Sequence, residues 1–217
     1  MPAREIPGSG YNRETQVKII NTATKLFAFK DFDSVSLRDI AEEVGIKLSS
    51  IQYYYRKKED LWKDVLLYFE SNYRHYFTWL TEENKQTNSL NELMDNFFNT
   101  EFVEMHDPMG CFGMSIIIKN QHSNELAKKL FFDLFYDYSI KSMQMDMDQL
   151  IEKGMLPPTD TKSIAMILIF GVIVINDIRL HNYMGMNPPL DCSNMFKSLR
   201  SIGEILLSTP QIGTTHG

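Results

Sequence analysis

Apolar residues recur every three or four positions along most of this 217-residue chain, which is the spacing of one face of an α-helix. In the first 80 residues this pattern predicts four helices, at about residues 13–29, 37–44, 48–55 and 59–80. Prolines and glycines cluster only ahead of the first of these helices, so residues 1–12 are predicted to form a flexible arm.

The remainder of the chain continues the helical pattern between recognisable breaks. Five further helices are predicted, at about residues 88–104, 109–120, 123–153, 160–182 and 193–207. Glycine or paired prolines end two of them, at Gly154, Pro157-Pro158 and Pro188-Pro189. The apolar run Ile164–Ile175 is rich in β-branched residues that favour a strand, but its 12 residues and the lack of a strand partner favour a helix. The prediction is an all-α fold of about nine helices, with a three-helix N-terminal head and a larger C-terminal bundle.

The second and third predicted helices have the arrangement of a helix-turn-helix between Ser36 and Tyr55. Ser36 is a good N-cap, and Asp39 stands three positions later, close to the spacing of a capping box. One buried stripe is predicted on the first of the two helices, consisting of Leu37, Ile40, Ala41 and Val44. Gly45 follows where the chain must turn sharply, which suits a residue with positive φ.

The third predicted helix has one apolar side, continued by Ile51 and Tyr55, and one polar side. The polar side carries hydrogen-bonding side chains and no acids: Lys47, Ser49, Ser50, Gln52, Tyr53 and Tyr54. A helix with such a side can lie in the major groove of DNA with its side chains at base edges. Stripes followed by glycine also occur in helical proteins of other kinds. The alternative is therefore a helical ligand-binding protein or enzyme that does not bind DNA.

Charge is unevenly distributed along the chain, whose net charge is −6. Residues 1–70 carry 11 basic and 11 acidic side chains, so the net negative charge lies entirely in residues 71–217. Between residues 34 and 58 five basic residues outnumber three acidic ones, and they are Arg38, Lys47, Arg56, Lys57 and Lys58. This small basic region is of the kind that phosphate binding needs.

The sequence contains no arrangement of residues that indicates catalysis, a metal site or a cofactor. Its five histidines have no metal-ligand spacing, and neither a phosphate-binding glycine loop nor a Gly-x-Ser-x-Gly motif is present. Two cysteines do not make a disulfide framework, and no signal peptide is expected from the first ten residues. The longest apolar run is too short to span a bilayer. We therefore expect a cytoplasmic protein that is not an enzyme, needs no cofactor and does not enter a membrane.

The head resembles that of the tetracycline-repressor (TetR) family over about residues 13–65. The matching elements are, in order, Leu26-Phe27, Asp31-Phe32-Asp33, Ser36-Leu-Arg-Asp-Ile-Ala41, Gly45-Ile46 and Lys58-Glu59-Asp60-Leu61. Two positions depart from the family pattern, because Gln52 stands where a tyrosine is usual and Tyr55 where a phenylalanine is usual.

This resemblance implies a two-fold dimer that grips a palindromic operator and is released by a ligand. Residues 13–58 would form the DNA-binding domain, and residues 59–217 the ligand-binding and dimerisation domain. Tyr54 and Lys58 correspond to the phosphate-contacting aromatic and lysine of the family. Arg38 is expected to contact a phosphate or a base edge, its alternative being a solvated surface arginine. Two roles are open for Gln52, a phosphate contact or the reading of an adenine.

The predicted C-terminal bundle is rich in methionine and phenylalanine, which suit an adaptable apolar pocket but also an ordinary core. The candidate pocket residues are Phe77, Phe97, Phe98, Met114, Phe131, Phe135 and Tyr138. By the same resemblance, the last two helices would pack against their copies as a four-helix dimer interface. Polar residues that interrupt the apolar helix before residue 182 can orient a ligand or line that interface, and we favour the interface. Cys111 is interpreted as a buried cysteine, with redox sensing as the alternative.

Overall fold

The computed structural model describes residues 10–98, 109–185 and 189–209, and every regular element in these ranges is helical. The nine helices are α1 Gly10–Phe29, α2 Leu37–Val44, α3 Leu48–Tyr54, α4 Lys58–Asn84, α5 Leu90–Phe98, α6 Met109–Asn120, α7, α8 Thr161–Tyr183 and α9 Cys192–Ser208. Helix α7 consists of three consecutive segments, namely α-helical Glu125–Leu130, π-helical Phe131–Ser139 and α-helical Ile140–Glu152. A 3₁₀ turn at Phe32–Ser34 precedes α2. The all-α prediction is confirmed, and the run 164–175 is helical.

Several helix ends lie where the sequence predicts them. Gly154 follows α7 with φ of 71°, and the Asp160 side chain caps α8 by accepting a hydrogen bond from the Ser163 amide. The start of α7 differs from the predicted residue 123: Ser123 is the cap that the sequence predicts, whereas the side chain of Asn124 accepts the capping bond from the Ala127 amide. The Ser123 hydroxyl instead donates to the carbonyl of Asn120 in the preceding turn.

Two predicted boundaries fall at the edges of the described ranges. Residues 10–12 of the predicted arm already belong to α1, and residues 1–9 lie outside the described residues. Helix α5 is described as far as Phe98, so its predicted continuation to residue 104 also lies outside.

The described residues pack into two compact units. The first unit contains residues 10–74 and 109–131, and the second contains residues 75–98, 132–185 and 189–209. Helix α6 belongs with the first unit because it packs on α1, where the rings of Phe29 and Phe112 lie 5.1 Å apart. The predicted functional boundary between residues 58 and 59 stays a prediction, since packing divides the chain at other places.

The second unit is built around α8, which packs against α7 and α9. A side chain at Gly171 would place its Cβ 2.6 Å from Leu199 of α9, so glycine is what allows the two helices this close approach. Among the described helices only α8 is long and apolar enough to cross a membrane, and half of its most apolar stretch is buried within the second unit. That is the burial of a core helix with one exposed side.

A buried acidic residue of the second unit is hydrogen-bonded by a neutral amide. Asp146 of α7 is 7% exposed, and its carboxylate accepts a hydrogen bond of 2.6 Å from Nδ2 of Asn84 at the end of α4. Burial raises the pKa of Asp146 to about 6, although the Asn84 hydrogen bond acts in the opposite direction. Keeping this side chain ionised therefore costs folding free energy at neutral pH.

Asp146→Asn is expected to stabilise the protein by about 2 kcal/mol at pH 7.5, because asparagine retains the acceptor and removes the buried charge. The folded-state pKa lies above the unfolded value of about 3.9, so the wild type loses stability as pH rises through this interval. The difference in free energy of unfolding between the variant and the wild type should grow between about pH 4 and pH 6 and then level off. Urea unfolding at several pH values measures it, with exposed Asp137→Asn as the control. A stability difference that does not change with pH would contradict the raised pKa of Asp146.

Candidate nucleic-acid interface

The turn between α2 and α3 has the geometry that the sequence predicts. The Asp39 amide donates to Oγ of Ser36 at 3.2 Å, and the Ser36 amide donates to Oδ2 of Asp39 at 2.7 Å, which completes a capping box. Hydrogen bonds to Oδ2 from the Ser36 hydroxyl and then from the Ser36 amide hold the pKa of Asp39 below its ordinary value. Gly45 adopts φ of 79°, and the Ile46 amide donates to the Ala41 carbonyl, so the chain leaves α2 in the left-handed conformation that glycine favours.

Buried side chains from four helices hold this turn in place. Ile40 of α2, Ile51 of α3 and Leu61 of α4 are completely buried. Phe27 of α1 is 1% exposed, and its ring meets the edge of Trp62 at 5.0 Å between centroids. Helix α3 packs directly on α2, and its Ile51 is buried in the core that these helices form.

The outer side of α3 matches the predicted DNA-facing side. Ser49, Gln52 and Tyr53 are exposed, Tyr53 at 75%, while Ser50 and Tyr54 are half-buried. The rings of Tyr53 and Tyr54 lie 5.2 Å apart in an edge-to-face arrangement. Since α3 contains no acidic residue, this surface offers hydroxyl, amide and aromatic groups without repelling phosphate.

Basic side chains flank the exposed side of α3 along the chain. Lys47 is exposed at its N-cap, and Arg38 is exposed at the second position of α2. Arg56 and Lys57 are exposed directly after α3. The sequence predicts these last two only as part of the local basic charge, and their place in the consecutive run with Lys58 makes them candidate phosphate contacts as well.

Lys58 is held in place by the loop before α2. Its Nζ donates a 2.6 Å hydrogen bond to the Phe32 carbonyl and lies 4.1 Å from the centroid of the Phe32 ring. An ammonium group has three N–H donors, so donors remain for a phosphate oxygen. The predicted phosphate contact and this internal contact are therefore compatible.

Tyr55, where the family pattern has phenylalanine, joins three elements through its hydroxyl. The ring is 3% exposed, the hydroxyl donates to Oδ2 of Asp64 on α4 at 3.1 Å, and it accepts from Nε2 of Gln16 on α1 at 3.1 Å. The sequence predicts the buried ring. It does not show the two polar partners, which are 39 and 9 residues away.

Tyr55→Phe is expected to destabilise the protein by about 1 kcal/mol, because Gln16 and Asp64 lose a partly buried hydrogen-bond partner. Urea unfolding monitored by circular dichroism measures this loss. Tyr53→Phe is the matched control, since its ring is exposed, and it should leave the midpoint unchanged. Equal midpoints for Tyr55→Phe and the wild type would show that the hydroxyl contributes nothing.

The comparisons with known proteins agree with this geometry. A model of the family described as bacterial regulatory proteins of the tetR family matches residues 19–65, from α1 into α4. Over these residues the chain is similar to the DNA-binding domain of the TetR family.

Individual TetR-family relatives are distant in sequence. The chain is 29% identical over 85 residues to the biofilm operon icaADBC negative transcriptional regulator IcaR of Staphylococcus epidermidis, a match that spans 39% of this chain and 44% of that protein. A TetR-family regulator from Rhodococcus sp. has the same fold, with a TM-score of 0.66, 14% identity and coverage of 90% of this chain and 100% of that one. A transcriptional regulator from Saccharomonospora viridis in complex with choline also has this fold, with a TM-score of 0.64 and 19% identity. The match covers 88% of this chain and 96% of that one.

The candidate pocket residues fall in both units. Met114 and Phe131 belong to the first unit, and the other five belong to the second. Phe77 and Tyr138 are brought together, with ring centroids 6.1 Å apart, and the Tyr138 hydroxyl is 2.9 Å from Oγ1 of Thr78. Phe97 and Phe98 are neighbours on α5 with centroids 4.9 Å apart. Five of the seven side chains are buried, namely Phe77, Phe97, Phe98, Met114 and Phe135. Ligand binding by these residues stays a prediction.

Other polar and sulfur-containing candidates also have defined places. The guanidinium of Arg179 lies 5.1 Å from the centroid of Phe196 on α9, and Nδ1 of His181 lies 2.8 Å from the Asp177 carbonyl oxygen. Cys111 is buried on α6. The described part of the chain contains no group of histidine, cysteine and acidic residues that could hold a metal ion.

Proposed function

We propose that this protein is a transcriptional repressor that binds a palindromic operator as a homodimer and is released by a small, mainly apolar ligand. The observation that carries the proposal is the exposed, acid-free side of α3, held at a fixed angle by the left-handed turn at Gly45. Such a helix can enter the major groove and bring its side chains to base edges.

Within this proposal the exposed groups divide into two roles. Ser49, Gln52 and Tyr53 would reach base edges because they are the exposed residues of α3, while Ser50 and Tyr54 are half-buried. Arg38, Lys47 and Lys58 supply positive charge for phosphates, which positions the protein without reading sequence. Gln52 has the donor and the acceptor needed to pair with adenine, and it can equally donate to a phosphate.

The proposed homodimer rests on the exposed side of α8 and α9. Four branched apolar side chains on these helices are between 46% and 63% exposed, namely Ile167, Val174, Ile202 and Ile205. Exposed apolar patches of this kind mark interaction sites in soluble proteins. A two-fold dimer would present two copies of α3 to the two halves of a palindrome.

Repression and release by a ligand are supported by the relatives. IcaR is a negative regulator, and the regulator from Saccharomonospora viridis is a complex with choline. In this chain the aromatic residues of α4, α5 and α7 supply the apolar surface that a ligand would need. A protein acting on DNA in this way would work in the cytoplasm.

A gel shift with the DNA upstream of the protein's own gene tests the proposed function. We expect a shift that competes with a specific duplex and weakens as salt rises. Absence of a shift at low salt with any intergenic DNA nearby would count decisively against it.

Lys58→Ala is expected to weaken binding to all DNA sequences and to lower the slope of log affinity against log salt by about one. The physical reason is the loss of one phosphate contact and the counterion that it releases. Because Lys58 also bonds to Phe32, unfolding must be measured in parallel. Lys63→Ala, exposed on the next turn of α4, is the control. An unchanged slope in a folded variant would remove Lys58 from the interface.

A further inference from the structure

The hydroxyl of Tyr55 is the middle of a short chain of side-chain hydrogen bonds within the first unit. Nε2 of Gln16 on α1 and Oδ2 of Asp64 on α4 each lie 3.1 Å from it. A carboxylate can only accept, so the hydroxyl proton goes to Asp64, and the amide of Gln16 donates to the hydroxyl oxygen. Because the last acceptor is a carboxylate, the bond to Asp64 is of the stronger, charge-assisted kind. The chain therefore has a fixed direction, from Gln16 through Tyr55 to Asp64.

This chain of hydrogen bonds holds the end of the helix that is proposed to read DNA. Tyr55 is the C-cap of α3, and its amide donates to the Ile51 carbonyl at 2.8 Å. Helix α3 has seven residues and packs directly on α2, from which it is separated by the turn at Gly45. The turn therefore holds the start of α3, while the buried side chain of Tyr55 ties its other end to α1 and α4.

The side chains that would read bases stand within one helical turn of this tie. Gln52 and Tyr53 precede Tyr55 by three and two positions, and both are exposed. A displacement of the end of α3 would move them directly. Hydrogen bonds to base edges need short distances and well-aligned angles, whereas the attraction between a basic side chain and a phosphate falls off gradually with distance. Loss of the tie should therefore weaken base reading more than phosphate binding.

We propose that Gln16 and Asp64 are positioning residues for DNA reading: through the hydroxyl of Tyr55 they hold the orientation in which α3 discriminates its operator from other DNA. The proposal rests on the proposed function, in which α3 enters the major groove, and adds two residues of other helices that act through a third side chain. Phenylalanine at position 55 would fill the same buried space without forming the link. A link that only stabilised the fold would affect binding to all DNA alike.

Fluorescence anisotropy of the full-length protein with two labelled duplexes tests the proposal. One duplex carries the operator recovered from the DNA upstream of the gene, and the other has the same base composition in shuffled order. Tyr55→Phe should lower the affinity for the operator about fivefold, the effect of one lost hydrogen bond, and the affinity for the shuffled duplex by less than about twofold. The slope of log affinity against log salt should not change, because no phosphate contact is lost.

Variants of the two partners show whether the effect passes through the hydroxyl. Gln16→Ala should lower the operator preference of the wild type but add little to Tyr55→Phe, because its donor has then already lost its acceptor. Asp64→Ala should lower the preference as Tyr55→Phe does, whereas Asp64→Asn keeps an acceptor and should retain most of it. Ile117→Val is the control for stability, since it removes one methyl group from a completely buried side chain of α6, and it should leave the preference unchanged.

The outcomes separate this proposal from the proposed function, once circular dichroism shows that each variant is folded. A selective loss of operator affinity in Tyr55→Phe that Gln16→Ala does not deepen supports the proposal. A Tyr55→Phe protein that keeps its operator preference overturns it and leaves operator binding intact, as does an equal loss of preference in Ile117→Val. A wild type that binds both duplexes equally overturns sequence-specific binding itself.

Discussion

Val174→Asp is expected to raise the dimer dissociation constant by at least about 100-fold, which corresponds to about 2.7 kcal/mol. Val174 is 55% exposed in the single chain and is one of the exposed apolar side chains of α8. A two-fold interface contains each substituted residue twice, so two carboxylates would lose water without gaining a cationic partner. Operator binding should fall with the dimer, because a monomer engages only one half-site.

The fold of the single chain should survive this change, since Val174 points away from the core. Sedimentation measures association, circular dichroism checks the fold, and a gel shift with a full palindrome follows DNA binding. Met155→Asp places the same charge at a 50% exposed apolar residue between α7 and α8, and should alter none of the three. A Val174→Asp protein that still dimerises like the wild type would move the interface elsewhere.

Phe27→Ala is expected to destabilise the first unit by about 3–5 kcal/mol, the usual cost of removing a fully buried aromatic ring. The ring packs against Trp62 and lies 5.7 Å from that of Phe32. Phe32 in turn holds Lys58 through its carbonyl and its ring. The cavity would therefore loosen both the three-helix core and the loop that positions a predicted phosphate contact.

Urea unfolding followed by tryptophan fluorescence measures this loss, because Trp62 is in contact with the substituted site. Leu26→Ala is the control, since Leu26 is the neighbouring residue on α1 and is only half-buried. Leu26→Ala should lower the free energy of unfolding by clearly less than Phe27→Ala does. A free energy of unfolding for Phe27→Ala within about 1 kcal/mol of the wild-type value would mean that the surrounding rings close the cavity. That result would contradict the rigid packing that the structure indicates.

The helices and the turn were predictable because their signals are local. Helical periodicity, the Ser36 cap and the glycine with positive φ at 45 all act within a few residues, and each is present as predicted. The same holds for the stop at Gly154 and the cap at Asp160. At the start of α7, two adjacent residues could each serve as cap, and only the backbone geometry selects Asn124 over Ser123.

Contacts between distant positions could not be derived in this way. The bonds of Tyr55 to Gln16 and Asp64, and of Lys58 to Phe32, depend on how α1, α3 and α4 cross. Sequence spacing constrains which side of a helix a residue occupies, but not which neighbour meets that side. For this reason the exposure of Ser49, Gln52 and Tyr53 follows from the helical pattern, whereas the partly buried hydrogen bonds of Tyr55 behind them do not.

The sequence by itself determined that this chain is all helical and that residues 36–55 form a helix-turn-helix with a polar outer side, because caps, turns and periodicity are properties of short segments. Only the tertiary structure decided which residues share a surface. It packs α6 with the first unit, and it brings the ring of Tyr136 on α7 beside that of Phe170 on α8. Tyr136 and Phe170 are 34 positions apart and become neighbours there because side-chain packing sets how the helices cross, whatever their separation along the chain.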